Sequence, residues 1–125
     1  MKALCISACV VLALVSGVAP LSAHHSWPVD FGKLVTVKGT VLNFQWGNPH
    51  PMITLEVQST DGQKEKWIVG GPAISRMEAN GWTKTTVKPG DVITGTGYQF
   101  ADGQKIIRLE RVTLPDGKEL RLYGR

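Results

Sequence analysis

Cysteine is nearly absent from this chain, which has two, Cys5 and Cys9, both within an apolar leader. Once that leader is removed no thiol remains, which excludes a disulfide framework, a thiolate metal site and a cysteine nucleophile. Histidine is scarce, with three residues in all, and charged residues make up only 19%. Basic side chains outnumber acidic ones by 14 to 10, and Lys2 would be lost with the leader. So mild an excess implies no particular anionic partner. Also missing are an activated-nucleophile pattern, a phosphate-cradling glycine loop and a carboxylate pair in an apolar setting, so no enzymatic activity is expected.

The leader has the layout of a secretory signal peptide. Lys2 supplies the positive start, residues 3–15 are apolar apart from Ser7, and Gly17 and Pro20 break the run before Leu21-Ser22-Ala23. An uncleaved anchor is the alternative, because residues 3–23 carry no charge and about 20 apolar residues span a bilayer. The glycine, the proline and the small residues at the end favour cleavage after Ala23. The expected organisation is a signal peptide over residues 1–23, an N-terminal arm over 24–33 and one small domain over 34–125. The expected address is the periplasm, with no membrane span after cleavage.

Most of the remaining chain has a period of two, which means strands. Val35, Val37 and Val41 alternate with Thr36, Lys38 and Thr40, and beyond them the apolar phase flips to Leu42, Phe44 and Trp46. A one-residue flip inside a long strand predicts a bulge, as when one strand serves both halves of a small barrel. Ile53, Leu55 and Val57 form a second alternating run, and Asp61-Gly62 turns the chain into a third over residues 64–69. A short helix is predicted over residues 73–80, with Pro72 at its first position and Asn80-Gly81 as its stop. Strands follow over residues 92–98, 105–114 and 120–122. Gly95 and Gly97 share one face, which requires something to approach that backbone closely, a neighbouring strand before a ligand.

Three strands, a helix and two more strands is the order of the OB barrel. The expected fold is therefore all-β with one short helix, a five- to six-stranded OB-like antiparallel barrel. A small sandwich or an open roll is the alternative. The motifs His24-His25-Ser26, Asn48-Pro49-His50, Gly81-Trp82, Lys88-Pro89-Gly90-Asp91, Gly97-Tyr98 and Leu114-Pro115-Asp116-Gly117 together resemble a family of small exported bacterial domains of unknown function. That resemblance implies a Gram-negative source and a periplasmic address, and it assigns no binding residues. In strand order the chain is also similar to periplasmic bacterial OB-fold proteins.

The histidines carry the one chemical hint. Cleavage after Ala23 would leave His24 with a free α-amine, offering an amine and an imidazole together, and imidazole suits copper, zinc and nickel. His50 stands between Pro49 and Pro51, which hold it in a fairly fixed direction. A copper site from His24 and His50, with His25 or Met52 as further donors, requires the arm to fold back and be pinned, for which Trp27, Pro28 and Phe31 are available. The bland readings are a frayed terminus and a turn histidine. Asp30 and Glu56 are the acidic residues placed to approach the histidines.

The alternative function is a metal-free module for a small ligand or a periplasmic protein. Trp46, Trp67, Trp82 and Tyr98 would then line one face, with Trp46, Asn48 and Tyr98 at the ligand. For Trp67 a core position is favoured. Nucleic acid is not an expected partner, because Glu110, Asp116 and Glu119 interleave the basic residues near the C-terminus.

Overall fold

The computed structural model describes residues 27–123. The leader, His24 and His25 therefore lie outside the described residues. Six strands and one helix run in the order β1 (Val29–Gln45), β2 (Met52–Gln58), β3 (Lys64–Gly70), α1 (Ile74–Ala79), β4 (Val92–Phe100), β5 (Ile106–Thr113) and β6 (Glu119–Arg121).

β1 is 17 residues long and has two partners. One of its edges pairs with β4 from Val29 to Thr40, and the other pairs with β2 from Thr40 to Gln45. The register with β2 slips between Val41 and Asn43, so the phase flip in the sequence is a bulge with Leu42 as its extra residue. Leu42 is accordingly exposed, while Val41 is buried and Phe44 packs on the core. β2 also pairs with β3, and β3 turns its other edge to β5 through Ile68↔Ile106, Val69↔Ile107 and Gly70↔Arg108. With β5 antiparallel to β4, the strands close a ring β1-β2-β3-β5-β4, and β6 extends the β5 edge beyond the β3 seam. This is the OB-like barrel. One detail differs from expectation, since the closing β3–β5 pairing is parallel.

The barrel interior is filled by Val37 and Val41 of β1, Ile53 and Leu55 of β2, Val69 of β3, Ile93 of β4, and Ile107, Leu109 and Val112 of β5. The phase change between Leu109 and Val112 coincides with a register slip opposite Thr96 and Gly97, which leaves Glu110 as the extra residue of a second bulge. The close approach expected at the glycine pair is β5 itself. A side chain at Gly95 would meet Leu109, and one at Gly97 would meet the main chain of Arg108.

α1 sits between β3 and β4 and buries Met77, with Trp82 just beyond it. It is shorter than expected: Ala73 is the N-cap, which moves Pro72 outside the helix, and Gly81 ends it at φ +88°. The N-terminal boundary also shifts. Residues 29–33, expected in the arm, belong to β1, where the pairing with β4 skips between Val29 and Leu34 and leaves Phe31 and Leu34 exposed. Their irregular pairing explains why no alternation marked them.

Candidate functional site

Trp27, at the foot of β1, is held by a local bond to its own strand and, through its neighbour Pro28, by one bond to the residue after β4. The Val29 amide donates to the Trp27 carbonyl at 2.8 Å, and the Ala101 amide donates to the Pro28 carbonyl at 2.9 Å. The indole then lies across Gly70, where an added Cβ would sit 2.5 Å from its Cη2 and 2.7 Å from the Met52 sulfur. Only a residue without a side chain leaves that seat open. On its other sides the indole packs at 4.9 Å between centroids against His50 and at 5.7 Å, edge-on, against Phe100.

His50 lies in the loop between β1 and β2, whose end is fastened where the Gly71 amide donates to the Pro51 carbonyl at 3.1 Å. Its Nδ1 and the Trp27 Nε1 are both buried without a hydrogen-bond partner. An unmatched buried polar atom costs about 1–3 kcal/mol; the imidazole nitrogen can be satisfied by a ligand or a metal, whereas the indole N–H can only donate to an acceptor. Beside them a cleft of about 420 Å³ is bounded by Trp27, Pro28, Pro49 and Phe100, with Gln45, Asn48, His50 and Met52 as its polar or soft groups. A second cleft of about 600 Å³, also bordered by Trp27 and His50, has Arg76, Arg108 and Tyr123 in its walls.

Three of the expected site residues therefore meet: Asn48, His50 and Met52 share the first cleft. Trp46 and Tyr98 do not line it. The aromatic residues form no single face. Trp82 is in the core with Phe44 edge-on to it at 6.4 Å and to Trp46 at 5.6 Å, whereas Tyr98 packs on Phe31 at 5.2 Å. Trp67 is half-buried, with its indole N–H donating to Glu65 at 3.3 Å. Asp30 accepts from the Gly32 amide and Glu56 pairs with Lys64 at 3.0 Å, so neither serves the histidine. Among the described residues no three His, Cys, Asp or Glu side chains cluster to hold a metal. Sequence reasoning missed Gly70, Phe100, Arg108 and Tyr123, none of which sits in a motif.

The carboxylates with lowered pKa values line neither cleft: Asp61 and Asp102 are in turns and Glu65 is in β3. Ser59 and the Gln63 amide hold Asp61 down, Lys105 and Trp67 hold Glu65 down, and the backbone and side chain of Gln104 hold Asp102 down. At the site the shifted group is Tyr123, raised by burial and partly offset by Arg108. A tyrosine raised in the folded state keeps its contribution to stability below the ordinary value of 10.0 and loses it as pH climbs above that. Melting temperatures taken from pH 8 to 11.5 should thus fall more steeply above pH 10 in the wild type than in Tyr123→Phe. Parallel curves would show that the phenol titrates as it does in the unfolded chain.

The sequence profile of a family of unknown function, DUF6152, matches residues 11–107. The chain belongs to that family. The matched stretch includes Trp27, Asn48, His50, Met52, Gly70 and Phe100 and ends just before Arg108. No curated protein matches the chain. Among solved structures it is similar to Rim1, the mitochondrial single-stranded DNA binding protein of S. cerevisiae. That alignment has 12% identity and a TM-score of 0.49, over 66% of this chain and 92% of Rim1. No helix among the described residues is long and apolar enough to cross a membrane.

Proposed function

We propose that this member of the family is an exported, non-enzymatic periplasmic domain that binds copper at its processed N-terminus. His24 would give its α-amine and imidazole, His50 a third nitrogen, and Met52 or His25 a further donor. Amine and imidazole nitrogens suit Cu(II), and a thioether suits Cu(I).

The observation that carries this reading is the seating of Trp27 against His50, whose Nδ1 has no partner. Reach was never the difficulty for an N-terminal arm; pinning was. Trp27 is three residues from His24, and an extended chain covers about 3.3–3.6 Å per residue, so the His24 backbone lies within about 11 Å of the Trp27 backbone. Copper between them would also satisfy a buried nitrogen that is otherwise orphaned. A metal-free reading is favoured by the first cleft, whose 420 Å³ falls within the range of small-molecule pockets.

Native mass spectrometry of the exported protein separates the two. We expect a chain beginning at His24 that takes up one copper, with nitrogen hyperfine structure in the Cu(II) EPR spectrum. His24→Ala and His50→Ala should each weaken binding by at least about 100-fold, more than the loss of a residue that only supports a ligand. A mature chain beginning at Met1 or Ser26, or affinity unchanged in both variants, would sink the copper reading.

A further inference from the structure

The second cleft contains an arrangement that copper binding does not use. Arg108 of β5 is clamped, its guanidinium carbon 3.6 Å from the centroid of the Tyr123 ring and 5.7 Å from that of Phe31. Its charge is matched by Glu110, two residues on in the same strand. Arg76 of α1 stands over the same tyrosine ring at 6.0 Å and makes no ion pair among the described residues. No carboxylate lines the cleft, whose remaining walls include Trp27, Phe31 and Pro72, with the Ser75 hydroxyl and the Tyr123 phenol at hand as donors.

We propose that this cleft binds a small aromatic carboxylate, with the acid on Arg76 and the ring against Trp27 and Phe31. A guanidinium presents two parallel N–H donors that match the two oxygens of a carboxylate. Arg108 is already engaged by Glu110, so one unmatched cation is left, which suits a monoanion. A dianionic phosphate would call for more than one free cation and would leave the aromatic walls unused. Arg76 is exposed and Arg108 is fixed by stacking, so the ligand meets one mobile cation and one preformed wall. Trp27 and His50 border this cleft as well as the first, so the titration is run without metal, where its failure leaves the copper reading standing.

The test is a titration of the metal-free mature protein with benzoate, benzamide and inorganic phosphate, each followed by nitrogen-15 NMR. The Trp27 indole signal is assigned through its loss in Trp27→Phe. We expect benzoate to shift that signal and the Ser75 and Arg76 amides saturably, and neither benzamide nor phosphate to do so. Arg76→Gln should weaken benzoate at least about tenfold, whereas Lys118→Gln, removing one exposed charge elsewhere, should leave it unchanged. Equal binding of benzoate and benzamide, equal binding of phosphate, an effect of Lys118→Gln as large as that of Arg76→Gln, or no saturable shift with benzoate would each overturn the proposal.

Discussion

Replacing Gly97 with alanine is expected to destabilise the domain by about 4 kcal/mol or more, which places it among the severe single substitutions. The new Cβ would collide with the carbonyl oxygen of Arg108, and the Ile107 methyl would lie 2.8 Å away. The obstacle is main chain within a paired strand, so no side-chain rotation relieves it. β4 and β5 would have to separate beside their bulge, next to the seam that closes the ring. A domain of about 100 residues has about 5–15 kcal/mol in total, and its melting temperature should fall by about 20 °C. Gly47→Ala is the control, because nothing lies within 4 Å of a Cβ there and its effect should stay within about 0.5 kcal/mol. Thermal melts of both variants decide the matter, and equal, small shifts would show that the strands can give way.

Gly70→Ala should have the largest effect on the site. Its methyl group would take the place of the Trp27 ring edge and press on the Met52 sulfur. Met52 can swing aside, whereas the backbone at Trp27 is fixed through the Ala101–Pro28 hydrogen bond, so the indole itself must rotate out of its seat. Its emission should move to longer wavelength, and losing part of its burial should cost about 1–2 kcal/mol. Copper affinity should fall by about 10–100-fold, as when a residue that positions a ligand is lost. Trp27→Ala should reproduce that loss. If Gly70→Ala keeps both wild-type emission and wild-type affinity, the seat does not hold the arm.

Much of the barrel was legible along the chain because alternation reports which face of a strand is covered. The flip after Val41 announced a bulge, which the register places at Leu42, and Gly95 with Gly97 announced the tight approach of β5. The glycines of the Asp-Gly turns, Gly62, Gly103 and Gly117, all have positive φ, as those dipeptides imply. What escaped is whatever depends on distant partners. The start of β1 has no alternation because its pairing with β4 is irregular. The parallel seam is three residue pairs between segments with a helix and a strand between them, too short to leave a pattern. The clefts were half legible: His50 announced itself by its two prolines and Met52 by proximity in sequence. Gly70 and Phe100 are strand ends that meet only after closure, and Arg108 looks like any charged residue on a sheet face.

That short seam bears on when the site comes into being during folding. Gly70, the seat of Trp27, is itself paired with Arg108, the clamped cation of the second cleft. The seat of Trp27 and the Arg108 wall of the second cleft are therefore brought together by one event, the docking of β3 on β5, which must wait until β4 and the intervening helix are in place. Contacts between distant segments form late, because the chain between them has to be ordered first. A partly folded chain thus has neither binding site, and any ligand that enters either one acts as a latch on the finished ring, selecting the closed barrel over every earlier form.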